Sequence, residues 1–129
     1  MDPTTGFLFF LGLTVVLLGA VAWTGFTKRI ALHIPLVVAS VASLGGAIVF
    51  ALRLGDLYDL ESAGLITPVH LTLAKVATAA YVLPLVTGVQ TMFDRERRHR
   101  HKQAAFIALG LTLAATATGA WMLLAAERL

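Results

Sequence analysis

The chain contains no cysteine. That excludes a disulfide framework, a CxxC redox or zinc site and the attachment motif of a c-type haem, so any metal ligation has to come from histidine, methionine or carboxylate. Charge is also scarce: Asp, Glu, Lys and Arg make up 13% of the 129 residues against 58% hydrophobic residues, and mean hydropathy is +0.85. A soluble domain of this size cannot bury so much apolar surface, so lipid must solvate the rest. No nucleophile–base pair, phosphate-cradling glycine loop, HExxH or paired catalytic carboxylates occur, which argues against catalysis by the chain's own side chains. The basic residues are not interleaved with aromatics, so no nucleic-acid partner is expected.

What the chain has instead is four apolar stretches. At about 20 residues per span, helices are expected over residues 6–26, 30–52, 68–93 and 103–126, with little left over except connections and short tails. The expected fold is all-α: an up-down bundle of four transmembrane helices forming a single integral membrane domain over residues 1–129. Asp2, not a basic n-region, precedes the first stretch, which also runs past the usual length of a signal-peptide core, so it is expected to remain as the first helix. Lys28 and Arg29 follow the first stretch, and Arg95, Arg97, Arg98, Arg100 and Lys102 lie between the third and fourth; Arg53 and Arg128 are at the opposite side. The positive-inside rule puts these basic loops in the cytoplasm and both termini on the outer side, together with the loop carrying Asp56, Tyr58, Asp59 and Glu61. The Asp94–Lys102 run reads most simply as a topogenic loop facing anionic lipid, with docking of an acidic partner as its functional alternative.

Prolines mark the helices. Thr67 and Pro68 read as the N-cap and first turn of the third helix, and Pro35 falls early in the second, where a missing N–H costs little. Pro84 is mid-span, where it should free the carbonyl of Ala80 and kink the helix. Small residues at Gly12 and Gly19, at Ser43, Gly45 and Gly46, and at Ala114, Ala115, Thr118 and Gly119 suit close helix packing in lipid. A short duplication is visible: Thr24-Gly25 leads through a basic turn to His33, and Thr87-Gly88 leads through a basic turn to His99 and His101.

All four histidines lie at or just outside helix ends. Neutral imidazole is a common ligand for haem iron, zinc and copper. His33 with His101, or with His99, meets the depth condition for axial ligation of a haem near the cytoplasmic face. His70 opens the third helix at the other face, with Met122 as the soft ligand at similar depth. His70 and His33 cannot share one iron, because roughly 30 Å of hydrocarbon separates the two faces. At helical spacing Ala74, Ala77, Tyr81, Pro84 and Gly88 continue the His70 face, a narrow stripe against which a planar cofactor or a neighbouring helix would fit. The plainer reading of any one helix-end histidine is an interfacial side chain bonded to backbone or water. Lys75, inside the third span, either snorkels toward Asp56, Asp59 or Glu61 or meets an acidic partner or haem propionate.

The motifs Lys28-Arg29-Ile30-Ala31-Leu32-His33, Val69-His70-Leu71-Thr72-Leu73-Ala74, Arg100-His101-Lys102 and Thr118-Gly119-Ala120-Trp121-Met122 carry a resemblance. The chain resembles the small four-helix membrane family that includes the haem–copper oxidase assembly factor CtaM of Gram-positive bacteria, over most of its length from Thr24 onward. It departs from that pattern in Ile34-Pro35 after the first histidine, in a shorter outer loop and in the additional His99. The resemblance implies a role in cytochrome oxidase maturation, through haem or copper insertion or subunit assembly, with His33, His70 and His101 as the matched residues. It implies a bacterial or archaeal cytoplasmic membrane and a larger respiratory complex as partner. Two other readings stay open: a small b-type electron-transfer cytochrome, and a cofactor-free structural subunit of a larger membrane complex or oligomer.

Overall fold

The computed structural model describes all 129 residues and is all-α, with four helices long and apolar enough to cross a membrane. Helix α1 spans Pro3–Phe26, α2 Ile30–Leu54, α3 Ile66–Ala80, α4 Val82–Phe93 and α5 Arg98–Ala125, with α3 and α4 together making one span. The chain divides into two compact units, Met1–Asp59 with Arg128–Leu129, and Leu60–Glu127. Each is a helical hairpin.

Several helices start earlier than hydropathy suggests. The apolar stretch marks the part of a helix that lipid covers, whereas the backbone stays helical into the polar interface. Helix α1 begins at Pro3, where Asp2 accepts from the Thr5 N–H at 3.1 Å and proline's missing N–H is one that the first turn leaves unpaired anyway. Helix α5 takes in the basic run from Arg98 onward, not from Gln103. Helix α3 begins at Ile66, so Thr67 is not its N-cap; Thr67 is buried inside the first turn and its hydroxyl donates to the Leu60 carbonyl.

In the first hairpin the turn is closed by a Schellman arrangement. Arg29 N–H donates to the Thr24 carbonyl at 2.9 Å and Lys28 N–H to that of Gly25 at 3.3 Å, with Lys28 in the left-handed region at φ 58°. The facing helices then meet through polar and small groups. Ser43 donates across to the Phe10 carbonyl at 3.0 Å, and the Thr14 hydroxyl lies 2.7 Å from the same carbonyl and 2.9 Å from the Ser43 hydroxyl. Gly46, one turn along, receives the Phe10 ring, and Phe10 stacks on Phe50 at 5.7 Å. Gly12, Gly19 and Gly45, expected at close approaches, instead face open space.

In the second hairpin one face of α5 is buried: Ala104, Ala108, Thr112, Gly119 and Met122 recur at helical spacing and face the span made by α3 and α4, where Ala77 and Ala80 are buried. The facing span is broken at Tyr81, one residue after Ala80, because Pro84 has no N–H to return to that carbonyl. The Tyr81 N–H shortens its bond to the Thr78 carbonyl, at 3.3 Å, and regular pairing resumes with Leu85 N–H on the Tyr81 carbonyl at 3.4 Å. The interruption expected where Pro84 frees the Ala80 carbonyl is therefore found.

Candidate functional site

Four Thr-Gly dipeptides occur in the chain, at Thr5-Gly6, Thr24-Gly25, Thr87-Gly88 and Thr118-Gly119. Each receives a ring from the opposite helix of its own hairpin. Three of those rings are histidines.

His33, in the first turns of α2, places Nδ1 3.1 Å from the Thr24 hydroxyl and 3.0 Å from the Val21 carbonyl, and its Cε1 lies where a Cβ on Gly25 would approach to 3.3 Å. The Schellman turn brings this about: with the Thr24 carbonyl bonded to Arg29, α2 starts beside the last turn of α1 and His33 falls back onto it. His101, in the first turn of α5, places Nδ1 3.2 Å from the Thr87 hydroxyl, with Cε1 3.2 Å from a Cβ built on Gly88. His70 of α3 places Nδ1 3.1 Å from the Thr118 hydroxyl, with the Ala115 carbonyl as a further acceptor, and its ring crosses Gly119 so closely that a Cβ there would lie 2.7 Å from Cε1.

His70 precedes Thr87 by the same 17 residues that separate His101 from Thr118. The second hairpin is thus stapled reciprocally, each helix lending a histidine at one end and a Thr-Gly seat at the other. Along α5 those 17 residues span about 25 Å at 1.5 Å per residue. His70 and His101 consequently sit at opposite ends of the hairpin and cannot bind one iron together. In the first hairpin Thr5-Gly6 receives Phe50, whose ring would be 2.6 Å from a Cβ on Gly6.

His99 is exposed and lies two residues, about 200° of helix, from His101, so His101 alone of that pair is seated between helices. Met122 is buried on the Gly119 face of α5. Lys75 is exposed and makes no ion pair with Glu61 of its own hairpin. Tyr81 lies at the helix break; its hydroxyl is buried and no group reaches hydrogen-bond geometry, Thr112 being the polar side chain that faces it. No group of three or more His, Cys, Asp or Glu residues gathers anywhere.

The seat at Thr118-Gly119 is the feature that sequence reading missed. The duplication pointed to Thr24-Gly25 and Thr87-Gly88, and a full count of Thr-Gly dipeptides against histidines would have supplied the third pair. No family model, curated protein or solved structure matches the chain.

Proposed function

We propose that this chain is an integral membrane accessory or assembly factor for a respiratory haem–copper oxidase, handling haem through imidazoles seated at the ends of its hairpins. The observation that carries the reading is the seating itself: His33, His70 and His101, the three residues matched by the resemblance to the CtaM-containing family, are each held through Nδ1 on a Thr-Gly pair. Haem iron takes an imidazole nitrogen as axial ligand, and the porphyrin brings the four equatorial nitrogens. One seated imidazole is therefore a sufficient contribution from the protein. When bound, haem would be cargo for the oxidase, and His70, His33 or His101 would hold it. The proposed setting is a bacterial or archaeal cytoplasmic membrane, with the basic loops in the cytoplasm and a larger respiratory complex as partner.

Deleting the gene should leave oxidase transcripts intact and lower the amount of assembled, haem-loaded oxidase. Normal oxidase spectra and activity in the deletion strain would sink this reading. One observation favours a second reading, a cofactor-free structural subunit: Phe50 fills the fourth seat, so a Thr-Gly pair can serve packing alone. That reading predicts a stoichiometric partner co-purifying with no bound pigment, and His70→Phe retaining function. The b-type cytochrome reading predicts a redox-active Soret band in the purified chain.

A further inference from the structure

The three seats share a hydrogen-bond order that says more than proximity. Each threonine hydroxyl donates back along its own helix: Thr118 to the Ala114 carbonyl at 2.9 Å, Thr24 to that of Ala20 at 2.9 Å, and Thr87 to that of Leu83 at 2.7 Å. A hydroxyl has one proton. Where the threonine spends it on its own helix, the hydroxyl can only accept from the imidazole, and Nδ1 is then the ring nitrogen that carries hydrogen. At His33 the Val21 carbonyl, 3.0 Å from Nδ1, requires the same, since a carbonyl oxygen cannot donate.

The fourth dipeptide is an internal control. Phe50 offers no ring nitrogen to Thr5-Gly6, and there the threonine hydroxyl turns to the Asp2 carboxylate at 3.3 Å. A threonine thus engages the incoming ring only where the ring has an N–H to give. The glycine sets the distance. A Cβ at position 119 would stand 2.7 Å from Cε1, 3.2 Å from Nδ1 and 3.3 Å from Nε2 of His70, so any larger residue lifts the ring away from the hydroxyl.

We propose that Thr118 and Gly119 are positioning residues that hold the His70 imidazole as its Nδ1–H tautomer and leave Nε2 as the nitrogen that would hold haem iron. Nε2 of His70 makes no hydrogen bond, and Nδ1–H bonded to an acceptor fixes the ring's orientation and raises the basicity of the other nitrogen. Thr24-Gly25 and Thr87-Gly88 impose the same tautomer on His33 and His101. The identity of the ligand rests on the haem-handling reading above. The tautomer does not.

The test uses the full chain, labelled with 15N-histidine and reconstituted in lipid nanodiscs, followed by titration with haemin. Spectra without haemin should show a protonated Nδ1 and an unprotonated Nε2 at His70, His33 and His101, each assigned by its alanine variant. Gly119→Ala, which lifts the ring from both acceptors, should shift the His70 signals toward a mixture of tautomers; Thr118→Val, which leaves the Ala115 carbonyl, should move the His70 Nδ1–H signal, and both should leave those of His33 unmoved, while Thr118→Ser retains the native pattern. On haemin addition the native chain should develop an imidazole-ligated Soret band that His70→Ala diminishes and that Thr118→Val weakens about 10- to 100-fold in affinity, the range expected when a ligand's supporting partner is lost. An Nε2–H tautomer at His70 in the native chain, or a Thr118→Val spectrum identical to native, overturns the positioning role whatever haemin does. An Nδ1–H pattern with haemin left in its free spectrum upholds the seat and overturns haem as its ligand. The native and Gly119→Ala spectra decide the matter even where Thr118→Val does not fold, since His70 signals unchanged in Gly119→Ala overturn the positioning role.

Discussion

Thr14, Thr24 and Ser40 are the most completely buried side chains, whereas Leu52, Phe93 and Leu124 stand 79%, 88% and 88% exposed. Between helices in lipid there is no gain from hiding hydrocarbon, which the acyl chains solvate equally well, so contact is won by small residues and by hydroxyls that bond across. The Phe10 carbonyl, shared by Ser43 and Thr14, is such a contact, and Gly46 beside it carries a prediction. A Cβ there would come within 2.7 to 2.9 Å of the Phe10 ring, including its root carbon, and stacking on Phe50 stops the ring from swinging aside. Gly46→Ala should therefore destabilise the first hairpin by about 1–3 kcal/mol, the usual cost of overpacking. Gly12→Ala, with open space at the same atom, should be neutral or slightly stabilising. Unfolding in mild detergent micelles measures both, and equal effects would contradict the packing described. Residue type alone could not separate these two glycines, because the pattern of small residues does not say which face of a helix meets its neighbour.

At the scale of elements, the break between α3 and α4 connects a proline to the histidine seats. It falls between His70 and Thr87, so the two staples of the second hairpin lie on opposite sides of it. Pro84→Ala restores an N–H that can reach the Ala80 carbonyl, and α3 and α4 should merge into one regular helix. The rotation this adds moves Thr87 relative to His101, whereas Thr118 and His70 keep their register. The His101 ring signals should shift while those of His70 stay, and amides near Tyr81 should gain protection from exchange. Unchanged protection at residues 81–85 would contradict the assignment of the break to Pro84. This element was legible from one residue in the sequence, since a proline's effect four residues upstream is local covalent geometry. The Thr118–His70 pair was not, because it joins residues 48 positions apart.

For the molecule as a whole, the charge distribution predicts sidedness. Arg95, Arg97, Arg98, Arg100 and Lys102 are all exposed, and the Arg97–Asp94 contact at 3.4 Å, about half exposed on both sides, neutralises little of the cluster. The absence of cysteine makes the chain its own background for labelling. Asp56→Cys should react with an impermeant maleimide added to intact cells, and Arg97→Cys only after permeabilisation. The reverse pattern would place the basic loops, and with them His33 and His101, on the outer side.

The sequence by itself determined that this is an all-α chain of four membrane-capable helices, because length and unbroken apolar composition suffice for a span in a solvent that cannot hydrogen-bond the backbone. It also determined the interruption at Pro84 and the placing of histidines at helix ends. Only the tertiary structure decided which glycines face a partner, that His101 and not His99 is seated, that Lys75 is exposed, and that His70 rests on Thr118-Gly119. Spans follow from the summed hydropathy of neighbours in the chain. Seats follow from the rotation and register of two helices against each other, which depend on every contact along the hairpin at once.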